Sequence, residues 1–212
     1  MSIIQNLIRE IILMIYNVTK SYGLAIIGVT ILVKLILLPL TLKQDKAMKD
    51  MKKIQPEIDK LREKYKDDPQ ELNKQTMELY KEHKINPFGS CLPLLIQLPF
   101  LWGIFGVLKQ TPETITNVNF LVWDLTKTDP YYILPVLNAL VTFFQQKIMS
   151  NSSTQNDQMK AMQYTFPIMI LFFSLSMPTG LQVYWLLSSL ISTAQQYFLI
   201  NKGDDKGENQ QK

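Results

Sequence analysis

The sequence predicts an all-α integral membrane protein with five transmembrane helices and a cytoplasmic antiparallel helical hairpin. Three observations predict it. Five apolar stretches near spanning length lie along the 212 residues. One block, residues 43–84, holds 12 of the 22 Lys+Arg and 10 of the 18 Asp+Glu. One cation, Lys34, stands inside the first apolar stretch. The averages conceal this division. A hydrophobic share of 47%, a charged share of 19%, a net charge of +4 and a mean hydropathy of +0.02 would suit a soluble protein.

Residues 1–21 open the chain. Ile4, Leu7, Ile8, Ile11, Ile12 and Ile15 recur at helical spacing around Arg9 and Glu10. That pattern predicts an interfacial amphipathic helix. The segment lacks a basic start, a small-residue cleavage site and a lipobox cysteine, so it reads as uncleaved.

The spans follow. A membrane helix needs about 20 mostly apolar residues. Residues 22–42 form the first span and 88–108 the second. Residues 131–149 form the third, 161–177 the fourth and 180–200 the fifth. The fourth is the shortest. The fourth and fifth are separated only by Pro178-Thr179-Gly180, which fits a tight turn between antiparallel helices. A soluble core would not hold several uncharged stretches of this length. A β-barrel would need short alternating segments, and these are missing.

Residues 43–87 form the hairpin between the first two spans. Met48, Met51, Ile54, Ile58, Leu61 and Tyr65 make a heptad-like stripe. Asp67-Asp68-Pro69 ends it, and Asp68 can cap a second helix with Pro69 in its first turn. Leu72, Thr76, Leu79 and His83 continue on that helix. The first arm reaches roughly 36 Å at 1.5 Å per residue. Pro56 is expected to kink it.

Basic residues orient the set. Segments 43–87, 147–160 and 201–212 hold 17 of the 22. Segments 1–21, 109–130 and the 178–180 turn hold four. The positive-inside rule therefore places the N-terminus outside and the C-terminus in the cytoplasm. The loops are then 109–130 outside and 150–160 inside, with 201–212 as an inner tail.

Several function classes are excluded. One Cys (Cys91) and one His (His83) leave no disulfide framework and no Cys/His zinc cluster. There is no Walker loop and no GxGxxG, so no nucleotide site is indicated. The basic residues of the hairpin alternate with acids, which argues against a nucleic-acid groove and a DNA partner. No metal, cofactor or enzymatic site is predicted.

Lys34 is the most informative residue. A Lys this deep costs about 2.5–3.5 kcal/mol on insertion scales. Thr30 lies one turn earlier on the same face. No other span contains an acid, so no carboxylate inside the membrane can pair with it. Snorkelling toward the inner headgroups is one explanation. A wet cavity is the other, and the remaining spans supply neutral polar groups for it. Asn138, Thr142, Gln145 and Gln146 line one stretch, and Tyr184, Ser188, Ser192 and Gln195 another. Gln182, Ser189, Thr193 and Gln196 flank the latter, and Gln97 sits in the second span. Bonds between helices, about 0.6 kcal/mol each, are the plainer role for such groups. Pro39, Pro93, Pro99, Pro135 and Pro167 would keep the helices irregular.

Four passages carry a family resemblance: GVTILVKLILLPLTLKQDKAMKDMKKIQPEIDKLREKYKDDPQ, NPFGSCLPLLIQLPFLWGIF, FFQQKIMS and MPTGLQVYWLLSSLISTAQQ. The chain resembles the YidC/Oxa/Alb family of membrane protein insertases, in a compact bacterial form. The resemblance implies five helices around a hydrophilic groove that opens to the cytoplasm and lipid and is closed outside. Lys34 stands where the family usually has Arg. It keeps the charge but not the planar fork. Thr30, Gln146 and Trp185 match positions that line the groove or meet substrate. Gln97, Asn138, Thr142, Gln182 and Ser188 are further candidates for its lining.

The implied function is insertion and folding of nascent membrane proteins in the bacterial cytoplasmic membrane, without ATP or any cofactor. The implied partners are nascent membrane proteins and the lipid bilayer. The ribosome, the signal recognition machinery and the Sec translocon are candidate partners. A small anion transporter or channel using Lys34 as its site is the competing expectation.

Overall fold

The computed structural model describes residues 3–85, 92–110, 115–149 and 157–208. Residues 86–91, which include Cys91 and the first four residues of the expected second span, and 150–156 of the inner loop lie outside them. So do residues 111–114 and 209–212.

The N-terminal periodicity becomes α1, Ile3–Thr19. Its apolar surface divides in two. Ile8, Ile12 and Tyr16 are buried, while Leu7, Met14 and Val18 on the adjoining arc are exposed. Close approach of α1 depends on glycines. A Cβ on Gly28 would meet the Ile15 side chain at 2.9 Å, and one on Gly103 would overlap Ile8. Lys20 in the left-handed region (φ 55°) ends the helix.

Ser21 then caps α2, Tyr22–Lys64, by accepting from the Leu24 N–H. This helix unites the expected first span and first hairpin arm. It runs unbroken through Pro39 and Pro56 for 43 residues, about 64 Å at 1.5 Å per residue. Each proline removes one bond from a long ladder, and the rest carries the helix through.

After a turn at Tyr65–Asp68 the chain doubles back as α3, Pro69–Glu82. The cap is the one the sequence indicated. Asp68 Oδ1 accepts from the N–H groups of Gln70 (3.1 Å) and Glu71 (3.0 Å), with Pro69 next in the chain. Ile54 and Ile58 of the predicted stripe are buried. His83 Nε2 lies 3.4 Å from Glu57 Oε2 at the far end of the pair.

The remaining helices are α4 (Leu92–Lys109), α5 (Ile133–Met149), α6 (Asp157–Leu175) and α7 (Thr179–Glu208). α5 packs between α6 and α7, and α7 packs along α2. α1 bridges α2 and α4. The expected loop 109–130 contains a small antiparallel ribbon, β1 (Asn119–Phe120) and β2 (Trp123–Asp124).

The ribbon is fastened to the start of α7. Gly180 N–H donates to Leu125 O (2.8 Å), and Thr179 donates to Lys127 O through both its N–H and its hydroxyl. Burial pushes the Asp124 carboxyl up, but hydrogen bonds from Thr126 and the Lys127 ammonium outweigh this and hold it below the usual carboxylate range. A Cβ on Gly180 would meet Leu108 Cδ2 at 2.7 Å and the Leu125 carbonyl at 3.0 Å. Gly180→Val is therefore expected to destabilise the protein by about 1–3 kcal/mol, as overpacking does. Thermal unfolding in detergent reads this directly; an unchanged midpoint would show that α7 can shift to make room.

The exposed surface is unusually apolar. Ile31, Leu35, Ile36, Leu140, Phe144, Phe172, Phe173 and Phe198 are exposed. Thr30, Gln44, Asn138, Thr142, Ser174, Gln182, Ser188 and Gln196 are buried. Large apolar side chains are exposed on the outside of the helices, and several polar ones face neighbouring helices. Exposed apolar surface on this scale belongs in contact with lipid. By length and composition, one helix among the described residues is a clear spanning candidate, Tyr22–Met51, with shorter apolar helices at Ile133–Ile148 and Gln163–Leu175.

The apolar core occupies one end. It joins Ile8 and Ile12 of α1, Tyr22 to Val33 of α2, Leu101 to Leu108 of α4, Leu125 of the loop, and Leu181 and Tyr184 of α7. Beyond Val33 and Tyr184 the facing surfaces of α2 and α7 turn polar, and the candidate site begins there.

Candidate functional site

On α2, Thr30, Lys34, Thr41 and Asp45 recur at intervals of 4, 7 and 4 residues, which keeps them on one face. On α7, Ser188, Ser192 and Gln195 do the same at 4 and 3. The two faces meet along a polar seam.

At its deep end Thr30 is 1% exposed and turns its hydroxyl onto its own helix, at Ile26 O. One turn on, Lys34 Nζ donates to Ser192 Oγ at 2.8 Å. Among the described residues no carboxylate pairs directly with Lys34. Two turns further, Gln195 Nε2 bridges Thr41 Oγ1 (3.1 Å) and Asp45 Oδ2 (2.6 Å). Gln196 lies beside the same carboxylate. Gln44, 3% exposed, has an Nε2 without a protein partner. The expectation that Lys34 lacks a carboxylate within the membrane needs this addition. The Asp45 charge acts on it from the far end of the seam.

The other candidate residues distribute over three places. Gln97 Nε2 donates to the Tyr184 hydroxyl at 2.6 Å, joining α4 to α7. Ser188 is buried one turn from Ser192. Asn138 and Gln182 form a separate seam between α5 and α7. Asn138 Nδ2 donates to Gln182 O (3.3 Å), Gln182 Nε2 to Met177 O (2.9 Å), and Thr142 to Asn138 O (2.7 Å). The first of these bonds holds α5 against α7, and Asn138 Oδ1 and Gln182 Oε1 are buried there without a partner. Trp185 is half-buried against the apolar core. Gln146 is half-buried near the end of α5. The structure brings Lys34 together with Ser192.

The seam is a chain of polar contacts with a cation at one end and an anion at the other, on helices whose outer faces are apolar. No bond-making chemistry is suggested by it. Among the described residues no group of His, Cys, Asp and Glu could hold a metal ion. An open apolar cleft of about 250 Å³ between α5 and α6 is lined by Val136, Leu140, Ile168 and Leu171. Lys34 does not line it.

Apolar outer faces and an internal polar seam are those of a helical membrane protein. The comparisons with known proteins make this specific. The 60Kd inner membrane protein family profile matches residues 14–206, and the chain belongs to that family, the YidC/Oxa group. The membrane protein insertase YidC of Fusobacterium nucleatum is 54% identical over 207 residues, covering 96% of this chain and 100% of that protein. The membrane protein insertase MisCA of Bacillus subtilis is 42% identical, covering 93% and 77% respectively. The YidC insertase of Geobacter sp. (strain M21) is 42% identical, but this chain spans only 35% of its length. Among solved structures, a crystal structure of an active YidC insertase with its first transmembrane domain resolved superposes with a TM-score of 0.75 at 27% identity. It covers 93% of this chain and 47% of that one.

Proposed function

We propose that this protein is a membrane protein insertase that inserts nascent membrane proteins and helps them fold. The observation that carries the reading is the Lys34–Ser192 contact. It is a cation held between two helices whose outer surfaces are apolar. A polar tail crossing hydrocarbon loses several kcal/mol for each unsatisfied group. A polar seam open at one end shortens that path. The following hydrophobic segment gains about 0.8 kcal/mol per buried CH₂, so partition into lipid drives the step without ATP. The protein makes and breaks no bonds, so it is not an enzyme.

In this reading α2, α4, α5, α6 and α7 provide five spans around the groove. The N-terminus and β1–β2 lie outside, and the α2–α3 hairpin and C-terminus lie in the bacterial cytoplasm. The excess of basic residues at the latter ends supports that orientation. The groove is assigned Lys34, Thr30, Gln146 and Trp185, with Gln97 and Ser188 near its wall. The hairpin is the first meeting place for a nascent chain and for the ribosome, signal recognition machinery or Sec translocon. No observation favours the anion transporter, and the relatives compared above carry insertase names.

Site-specific crosslinking tests this. Photoreactive residues at positions 34, 146 and 185 are expected to capture ribosome-bound nascent membrane segments. A probe at Phe172, on the exposed face of α6, is expected to capture few. Equal capture at all four positions would remove the groove assignment. Anion flux through reconstituted vesicles that vanishes in Lys34→Ala would replace the insertase by the transporter.

A further inference from the structure

Asp45 differs from Asp50 and Asp59 of its helix. Asp50 pairs with Lys53 and Asp59 with Arg62, each within its own helix at 2.9 Å. Asp45 has Lys49 one turn along, yet among the described residues it takes no cation. It turns toward α7 instead, where Gln195 donates to one carboxylate oxygen and is itself held by Thr41. Burial pushes the Asp45 carboxyl up, while bonds from Gln195 and Gln196 and the Lys34 charge act to lower it, and neither amide brings a charge of its own. The buried, unpartnered Nε2 of Gln44 and Oε1 of Gln196 add further unspent polar capacity at the same level.

Position gives this acid its meaning. Asp45 lies three residues beyond the expected end of the first span, at the inner mouth of the seam. Lys34 lies eleven residues earlier on the same unbroken helix, and its ammonium and the Asp45 carboxylate are held by Ser192 and Gln195, three residues apart on α7. The seam therefore has a fixed polarity, positive inside the membrane and negative at the mouth.

We propose that Asp45, oriented by Gln195 and Thr41, is a specificity-determining residue that receives the Lys or Arg flank of an inserting segment. The inference rests on the insertase reading. Lys34 takes the acidic or polar tail that travels ahead, and Asp45 holds the basic residues that stay behind. A substrate with an acidic leading tail and a basic trailing flank matches both charges, and the reverse arrangement meets both with the wrong sign. The protein then selects for substrates whose basic flank stays cytoplasmic, rather than leaving that choice to the lipid alone.

The test compares two single-span substrates in proteoliposomes. They are identical except for a Lys-Lys or a Gln-Gln flank behind the hydrophobic segment. The readout is the ratio of their insertion yields. Asp45→Asn keeps an oxygen for Gln195 and removes the charge. It is expected to lower the Lys-Lys to Gln-Gln ratio about fivefold, the size of one half-exposed ion pair. Asp45→Lys is expected to lower it further, and raised salt is expected to shrink the difference between wild type and variant. A purely structural role would reduce both yields together and leave the ratio unchanged, which would overturn the inference. If the wild-type protein inserts neither substrate, the insertase reading itself fails. If it inserts both and Asp45→Asn leaves the ratio intact, only the role of Asp45 fails.

Discussion

Lys34→Glu is expected to lower insertion of a single-span substrate with an acidic tail by tenfold or more, while Lys34→Arg retains most of it. The reason is the sign of the field in the seam. Two unit charges 4 Å apart interact by about 4 kcal/mol at an effective dielectric of 20, and Lys34→Glu turns attraction into repulsion. It also places a second carboxylate on the face of α2 that already carries Asp45. Hydration absorbs much of that energy, and tenfold corresponds to only about 1.4 kcal/mol. The local structure can tolerate the change, because a carboxylate can accept from the Ser192 hydroxyl that Lys34 now donates to. Arg keeps the charge and can reach the same oxygen with a more weakly hydrated head. Insertion into proteoliposomes, paired with thermal unfolding of each variant, separates lost function from lost folding. Full insertion by a folded Lys34→Glu protein would remove charge from the mechanism.

Much of this arrangement was legible in the residues. Long apolar runs exceed what a soluble core uses, so the helices that became α2, α4, α5, α6 and α7 could be marked without a structure. Capping chemistry is local, and so Asp68-Pro69 placed the start of α3. Lys34 was identifiable because its cost in hydrocarbon is large whatever surrounds it.

Asp45 was harder to see for the opposite reason. It lies in a block rich in both signs of charge, where an acid is normally solvated or paired with a lysine one turn away. Helical spacing shows that Thr30, Lys34, Thr41 and Asp45 share a face. It does not show which helix covers that face. The stripe of Ser188, Ser192 and Gln195 was visible on α7 as well, and only packing shows that the two stripes meet. The unity of α2 was hidden too, because a change from apolar to charged composition looks like a boundary. A helix carries its backbone bonds across such a change without interruption. The ribbon β1–β2 has two-residue strands, too short for any period to register.

The second large effect is expected at Asp129, in the loop rather than the seam. Asp129 is 4% exposed. Its Oδ1 accepts from the Trp123 indole N–H (2.8 Å) and the Tyr131 N–H (2.9 Å), and its Oδ2 from the Leu134 N–H (2.8 Å). One carboxylate thus ties the β2 strand to the first turn of α5. Hydrogen bonds to a charged group contribute about 1.5–3 kcal/mol each, and orphaned donors add a desolvation penalty. The losses do not add fully, so Asp129→Ala is expected to destabilise the protein by about 3–5 kcal/mol. Asp129→Asn keeps one acceptor oxygen and should cost less. The consequence extends beyond the loop, because the same segment holds the start of α7 through Leu125 O and Lys127 O. Freed from α5, it would loosen the end of the bundle where the apolar core closes the seam. A cysteine at Leu125, fully buried in the native protein, should then react with a membrane-impermeant maleimide in Asp129→Ala and not in the parent. If Asp129→Ala unfolds at the parental temperature and keeps Leu125→Cys protected, the ribbon closes the bundle without this clamp.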